Sequence, residues 1–411
     1  MTTCRRRRIP VSALALTLAG ATVAGGLTAC AAQPDPGTVT VLNSATDAKE
    51  HTANQAFFDT CAEPLGLKVK QISVPADQVA TKALRMASSD SLPDILELDG
   101  SELAQFAETD GLRPLAETGF DAEGFSDSAV SLGSYDGTQY GVARSVNSLA
   151  LIYNTTMLAD AGLEPPTTWE ELRATAAALT QGNTYGMAFS ASPNADGVYQ
   201  FLPFFWSAGG DEAHLAGGTG GQEALQLWKD LVDDGSASRS VVNWNQQDVN
   251  DQFVSGRTAM MVNGPWQVPV LSAQDSVEWA VASIPVPQAG QDPVPPIGGT
   301  VMTVPKNSDT DRERNAGAIL NCLNSEQNQL GWGERVNNVP TRADAAQAYR
   351  EQNPELAPFA DLVATARSRT AEVGTRWPVV GDALAGAFQS VLTGRSSPAQ
   401  ALERAAQQAG E

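Results

Sequence analysis

The first third of the chain alternates between short apolar stretches that suit strands and amphipathic stretches that suit helices. Residues 38–42, 67–74 and 94–98 are strand-like, and the first of these alternates with a period of two. Asp47, with an acidic residue three positions later, predicts a capped helix start, and residues 77–88 predict a second helix. This order of strands and helices predicts a parallel α/β sheet with helices on both faces.

A second region with the same kind of pattern begins near residue 150. Residues 149–153 and 257–263 are apolar enough to be buried strands. Capping boxes predict helix starts at Thr168, Thr310 and Ser397, because each is followed three residues later by Glu or Gln. The second region is therefore also predicted to be α/β.

The N-terminus combines a basic run, Arg5 to Arg8, with an apolar stretch over 11–27. This order is typical of a secretory signal peptide, here 1–29. A transmembrane anchor is the alternative, because the stretch is near the length of a span. Its richness in Ala, Gly, Ser and Thr favours a signal that is removed. Residues 30–37 then predict a flexible tether, and the export route stays open between the general secretory and twin-arginine systems.

Small residues at 27–29 lead directly into Cys30, and this stretch resembles a bacterial lipobox. The resemblance implies cleavage before Cys30 and a diacylglycerol on its sulfur. The protein would then be held by lipid at the extracellular face of the cell membrane.

The charge of the chain argues against some partners. The formal net charge is -21. Removal of 1–29, which holds four Arg and no acidic residue, leaves the remainder near -25. A surface of that sign repels a phosphate backbone, so we expect no nucleic acid partner. It also repels anionic lipid headgroups, which suits a body held away from the membrane.

Cysteine and histidine usage limits the chemistry. Once Cys4 leaves with the signal peptide and Cys30 carries lipid, Cys61 and Cys322 remain in an oxidising compartment. A disulfide between them is favoured over two separate buried thiols. The chain has two His and no cluster with transition-metal spacing, so no metal site is predicted. GxSxG, Walker A and GxGxxG motifs are absent from the sequence, and we expect no catalytic residue and no cofactor.

Four segments in order resemble the extracellular solute-binding proteins of ABC importers, in their carbohydrate, maltose-binding-like branch. They are Leu-Pro-Asp-Ile-Leu at 92–96, Leu-Ile-Tyr-Asn at 151–154, the Phe-Val-Ser-Gly-Arg run to Gly-Pro-Trp at 253–266, and Gly-Arg at 394–395. The resemblance covers nearly the whole chain after the tether. It implies a monomeric receptor, not an enzyme, that binds a di- or oligosaccharide and delivers it to permease subunits in the membrane.

The resemblance also implies a two-lobed periplasmic-binding-protein fold of the type II-like class. Two doubly wound α/β lobes would be joined by hinge strands, with the ligand cleft between them. Lobe 1 would comprise 38–148 plus 301–338, and lobe 2 would comprise 149–300 plus 339–411. These bounds place both remaining cysteines in lobe 1, which strengthens the disulfide prediction.

Aromatic side chains are the first candidates for binding a sugar, because they can stack on the C–H faces of its rings. Trp266 follows the 257–263 strand at the end where α/β clefts bind ligand, and in the resembling family the matching Trp stacks on sugar. Trp377 lies in a loop before a helix, with Arg376 as a donor beside it. Trp332 is a further candidate, and Tyr199 matches a contact position of that family.

Polar candidates lie at the ends of predicted strands. Asp99 ends the third strand and could accept hydrogen bonds from two sugar hydroxyls, although a turn residue is the alternative. Asn43 ends the first strand, and Asp47 is either a ligand contact or simply a helix cap. Asn147 precedes the expected crossing between lobes. Gly299 suits either a close approach of backbone to ligand or a hinge.

Two other functions compete with the sugar receptor. One is a binding protein for a non-sugar solute, such as a glycerophosphodiester, a polyamine or a metal. Acidic surface and aromatic residues keep a cationic solute open, whereas the scarcity of His argues against a transition metal. The other is a secreted glycosidase, which needs two carboxylates flanking a bond, and no motif supports it.

Overall fold

The computed structural model describes residues 37–411. The predicted signal peptide 1–29, the lipidation site Cys30 and nearly all of the 30–37 tether lie outside the described residues. Within 37–411, no helix has both the length and the apolar character needed to cross a membrane.

Strands and helices alternate along the described chain. The strands are β1 Thr38–Asn43, β2 Lys68–Ser73, β3 Ile95–Asp99, β4 Ser134–Tyr135, β5 Thr138–Gln139, β6 Gly141–Val142, β7 Ser145–Val146, β8 Ala150–Asn154, β9 Tyr185–Ala188, β10 Thr258–Asn263, β11 Trp279–Ala282, β12 Thr300–Thr303 and β13 Val339–Pro340. The helices are α1 Ala48–Ala62, α2 Val79–Ser88, α3 Leu103–Glu108, α4 Asp127–Leu132, α5 Thr155–Asp160, α6 Trp169–Leu179, α7 Ala195–Ser207, α8 Gly220–Asp233, α9 Gln246–Val254, α10 Val268–Ser272, α11 Thr310–Leu323, α12 Glu326–Val336, α13 Ala343–Gln352, α14 Ala357–Ala364, α15 Trp377–Leu392 and α16 Pro398–Ala409.

The first sheet has the strand order β2-β1-β3-β12-β6. β1 is parallel to both β2 and β3, as the strand–helix alternation predicts. β12 is antiparallel to β3 and to β6, with Thr300 opposite Asp99 and Met302 opposite Glu97. The predicted purely parallel sheet is therefore wrong. The sheet is mixed, because β12, some two hundred residues further along the chain, inserts antiparallel between β3 and β6.

The second sheet has the order β11-β8-β10-β9. β8 is antiparallel to β10 and β11, and β9 is parallel to β10. β10 is buried along its whole length, which agrees with its continuous apolar sequence. It ends at Asn263, opposite Ala150 at the start of β8, so its carboxyl end lies where the chain enters this sheet.

The chain passes between the two sheets through β7, Asn147 and the facing Gly298 and Gly299, which we call the strip. β7 pairs with β13 through Val146 and Val339. Asn147 and Gly298 exchange two backbone hydrogen bonds of 2.9 Å. Gly299 has a φ of +141°, which is readily accessible only to glycine. A bend at this point brings the end of the first sheet against the start of the second.

Local capping signals explain where several helices begin. Thr168 and Ser397 form reciprocal capping boxes, as predicted. Asp47 accepts hydrogen bonds from the backbone N–H groups of Lys49 and Glu50 at the start of α1. The predicted cap at Thr310 is wrong by one residue. Asp309 caps α11 instead, because its carboxylate accepts hydrogen bonds from the backbone N–H groups of Asp311 and Arg312.

Cys61 and Cys322 are joined by a disulfide, with their Cα atoms 5.5 Å apart. The bond ties α1 to α11 across one face of the first sheet. Apolar side chains around it, including Phe58 and Ile319, are fully buried. The disulfide therefore fixes the helix whose first turn borders the candidate site.

Candidate functional site

A pocket of about 210 Å³ opens where the first sheet meets the strip that leads to the second sheet. We call it the inner pocket. β3 and β12 provide one wall, α12 and the first turns of α1 provide another, and the segment after β6 closes it. The carboxyl ends of parallel strands are where ligands bind in open α/β sheets. Its lining comprises Ser44, Glu50, Asn54, Glu97, Arg144, Ser145, Asn147, Gly299, Thr300, Met302, Trp332, Val336 and Asn338.

Arg144 is the most informative residue of the inner pocket, because it is only 5% exposed. Its Nη2 donates to Asn54 Oδ1 at 2.6 Å, and its guanidinium lies 3.8 Å from the ring centroid of Trp332. Burial lowers the pKa of Arg144 to about 10, so it stays protonated at neutral pH. Its buried Nη1 has no hydrogen-bond partner within 37–411. One donor of a buried cation is thus available for a ligand.

Glu97 supplies an acceptor in the same pocket. It is 8% exposed, and Ser44 Oγ lies 3.3 Å from its Oε1. Burial raises the pKa of Glu97, although Arg144 and hydrogen bonds from Ser44 and Thr300 oppose that effect. Asn338 Oδ1 is a second acceptor, buried and without a partner among the described residues. Donor and acceptor groups therefore converge in a pocket that has an indole in its wall.

Three of the sequence-predicted residues, Asn147, Gly299 and Trp332, line the inner pocket. Trp332 is 8% exposed, meets the Phe57 ring edge to face at 5.8 Å and supports Arg144 on its face. Its indole face therefore supports the Arg144 guanidinium, whereas the sequence predicted a face open to a ligand.

Asn43 and Asp47 take supporting positions. Asn43 is completely buried, donates to Gln71 Oε1 at 2.8 Å and accepts from Ser73 Oγ at 2.7 Å. Its side chain is thus committed to neighbouring strand ends beneath the pocket. Asp47 caps α1 at the solvent-exposed rim.

Asp99 also has protein partners. Its carboxylate accepts from Ser101 and from Arg369 Nη2, the latter at 2.9 Å. Burial pushes the pKa of Asp99 up, but the Arg369 charge and the Ser101 hydrogen bonds outweigh it, so the pKa is lowered. Because its side chain remains 43% exposed, Asp99 can still meet solvent while it pairs with Arg369.

Tyr199 and Trp266 approach Asn147 from the side of the second sheet. The Tyr199 hydroxyl lies 3.2 Å from Asn147 Oδ1 and 3.3 Å from the carbonyl oxygen of Pro296. The rings of Tyr199 and the half-buried Trp266 are 6.4 Å apart. A Cβ on Gly298 would collide with both the Tyr199 hydroxyl and Asn147, which explains a glycine there. These aromatic residues extend the wall beyond the inner pocket.

Trp377 and Arg376 are not brought to the inner pocket. Trp377 is 7% exposed, packs in the core around the second sheet and lines a separate cavity of about 100 Å³ beside Arg369. Arg376 is exposed just before α15. Trp377 is the first residue of α15, and its indole packs with the buried apolar face of that helix, so packing explains its position.

A family model described as bacterial extracellular solute-binding protein matches residues 56–358, well over half of the chain. The chain belongs to this family.

Known proteins similar to this solute-binding protein include sugar-binding members of the fold. The structure of a cyclic alpha-maltosyl-1,6-maltose binding protein from Arthrobacter globiformis is 28% identical, covers 91% of this chain and 98% of that one, and gives a TM-score of 0.80. The GacH receptor of Streptomyces glaucescens, solved unliganded and with acarbose, is 26% identical, with coverage of 90% and 96% and a TM-score of 0.75. A galactooligosaccharide-binding protein of Bacillus subtilis is 23% identical over 368 residues, which are 84% of this chain and 82% of that one. The two-lobed α/β fold of maltose-binding-like proteins is therefore the fold of this chain.

Sequence reasoning missed Arg144 and Glu97, the two charged groups at the centre of the inner pocket of this solute-binding protein. The signal was present in both cases. Glu97 stands inside the apolar run Ile-Leu-Glu-Leu, and Arg144 inside Gly-Val-Ala-Arg-Ser-Val. A single charge in a buried strand or beside one is costly unless it has a partner or a function, so each was a candidate from the sequence alone.

Proposed function

We propose that this solute-binding protein binds a sugar, specifically a di- or oligosaccharide, in the inner pocket and the cleft beside it. It then presents the sugar to the permease of an ABC importer. The observation that carries the proposal is Arg144, a fully buried cation with one unpartnered donor, which faces the same pocket as the buried acceptor Glu97.

Sugar chemistry fits this arrangement. Each hydroxyl both donates and accepts, so a ring can accept from Arg144 Nη1 while it donates to Glu97 or Asn338 Oδ1. The apolar faces of the rings suit the half-buried indole of Trp266, whereas Trp332 supports the Arg144 guanidinium. The relative named as a cyclic alpha-maltosyl-1,6-maltose binding protein and the receptor solved with acarbose support a carbohydrate as ligand.

The wider organisation is part of the same proposal. Lobe 1, residues 38–148 and 301–338, would close on lobe 2, residues 149–300 and 339–411, around the sugar. Closure would be a shift of population toward the state that contacts the ligand from both sides. The protein would act as a monomer at the extracellular face of the membrane, anchored through Cys30, and would release the sugar uncleaved.

The test is calorimetric titration of the full chain, purified in a detergent without a sugar headgroup. Glucose, maltose, maltotriose and a galactose series would be compared with glycerophosphocholine and putrescine. A saturating sugar at about 100 times its dissociation constant should also add about 2.7 kcal/mol to the free energy of unfolding. Chromatography of the recovered sugar should show no cleavage.

Binding of glycerophosphocholine or putrescine without binding of any sugar would replace the sugar proposal by the non-sugar one. Cleaved sugar would support a glycosidase instead. The variant Glu97→Gln, which keeps the size of the side chain but replaces the carboxyl group, should weaken sugar binding, and unchanged affinity would remove Glu97 from the site.

A further inference from the structure

A second space adjoins the inner pocket between α1 and α12. A groove of about 660 Å³ lies there, and we call it the outer groove. It shares Glu50, Trp332 and Val336 with the inner pocket, so the two spaces adjoin.

We propose that the outer groove is a second sugar subsite, and that Gly331 sets the length of ligand the protein accepts by leaving this groove open. The proposal rests on the proposed function and assigns the groove to the next ring of an oligosaccharide. The inner pocket is bounded by the sheet at Glu97 and Met302 and by the strip at Asn147 and Gly299. A ligand too large for the inner pocket can therefore extend past Trp332 into the outer groove, as well as past Asn147 toward Tyr199 and Trp266.

The walls of the outer groove carry groups that suit a solvated sugar ring. Lys49 and Glu50 stand on the α1 side, and Glu334 and Arg335 stand on the α12 side. Arg335 Nη2 lies 3.4 Å from the backbone oxygen of Lys49, a contact that joins the two walls. Positively and negatively charged side chains therefore both line the groove, and the indole of Trp332 borders both the groove and the inner pocket.

Gly331 is a helical residue whose missing side chain keeps the groove wide. It lies inside α12, has no positive φ, and a Cβ there would meet only Phe57, at 3.7 Å. Backbone strain therefore does not require glycine at this position. A larger residue at position 331 would not clash at its Cβ, but the rest of its side chain would occupy space that the proposed second ring needs.

The test compares ligands of increasing length on the full chain in a detergent without a sugar headgroup. The probes are glucose, maltose and maltotriose, with galactose and its β-1,4-linked di- and trisaccharides as a second series. In the native protein the longer members should bind at least about tenfold more tightly than the monosaccharide, which is about 1.4 kcal/mol. Gly331→Phe should remove this gain and leave monosaccharide affinity unchanged, whereas Gly331→Ala should behave like the native protein.

Arg335→Ala provides a second, independent variant in the α12 wall of the groove, for use if Gly331→Phe does not fold. It should weaken trisaccharide binding several-fold and leave the monosaccharide unaffected. If sugars bind the native protein with no dependence on length, or if Gly331→Phe keeps the gain, the second subsite is refuted and the sugar receptor stands. If neither series binds the native protein, the proposed function fails and this inference fails with it.

Discussion

Replacement of Arg144 by Met is the perturbation with the clearest expected outcome. The methionine occupies similar space beside Trp332 but has no charge and no donor. The native guanidinium donates to Asn54 at 2.6 Å, lies 3.8 Å from the Trp332 ring centroid and has Nη1 unpartnered in the pocket. The variant therefore removes the donor that we assign to the sugar and the group that orients the indole.

The magnitude follows from these contacts. A hydrogen bond to a charged group contributes about 1.5–3 kcal/mol, and every 1.4 kcal/mol is about tenfold in affinity. Loss of the Nη1 contact should therefore weaken sugar binding by about 10- to 150-fold. Because the attraction of Arg144 holds down the pKa of Glu97, the variant should raise that pKa further. Sugar binding by the variant should accordingly begin to change with pH at a higher pH than that of the native protein.

The assay is calorimetric titration of native protein, Arg144→Met and Arg144→Lys at several pH values, with thermal unfolding to confirm the fold. The lysine keeps the charge but lacks the two separate nitrogens that point to Asn54 and to the ligand, so it should fall between the other two. Arg113→Met is a matched control, because Arg113 pairs with Glu117 and Glu313 and does not line the inner pocket. Native-like sugar affinity in Arg144→Met, with the fold intact, would refute the role given to this residue.

Three further predictions concern Glu97, the disulfide and the predicted lipidation site. Burial raises the pKa of Glu97 above its ordinary value, so the contribution of this group to stability is present below about pH 4 and is lost as pH rises through the folded pKa. Glu97→Gln should therefore raise the melting temperature at pH 7 but not in acid, and it should weaken sugar binding. A melting temperature with the same pH dependence as that of the native protein would count against a buried ionised carboxylate. The Cys61–Cys322 disulfide closes a loop with a sequence separation of 261, so its reduction should lower the free energy of unfolding by up to about 5 kcal/mol. Denaturation with and without reductant measures this loss, and the stability of Cys61→Ser should not respond to reductant. Cys30→Ala should abolish lipid labelling and release the protein from the membrane fraction. A variant that stays in the membrane fraction, or is still lipid-labelled, would contradict lipidation at Cys30.

Local patterns predicted much of the fold because they act over a few residues. The capping boxes at Thr168 and Ser397 and the parallel pairing of β1 with β2 and β3 each depend on neighbouring sequence. The antiparallel entry of β12 next to β3 was beyond such reasoning. Nothing near residue 300 indicates that its partner lies two hundred residues earlier.

The candidate site was harder to predict, because side chains at strand ends can point to a ligand or to each other. Asn43 was expected to face the ligand, but Gln71 and Ser73 take up its amide. Arg144 and Glu97 become meaningful only once Trp332, from a distant helix, completes the pocket around them. Sequence gives the type of each residue, whereas the convergence of three separate segments decides which residues share a site.

The most direct test of the account is a crystal structure of the protein with the sugar that gives the largest thermal shift. We expect a sugar ring in the inner pocket, with a hydroxyl oxygen within about 3.2 Å of Arg144 Nη1 and another near the Glu97 carboxylate. A sugar bound only elsewhere, for example in the small cavity beside Trp377, with Arg144 Nη1 still unpartnered, would contradict the account.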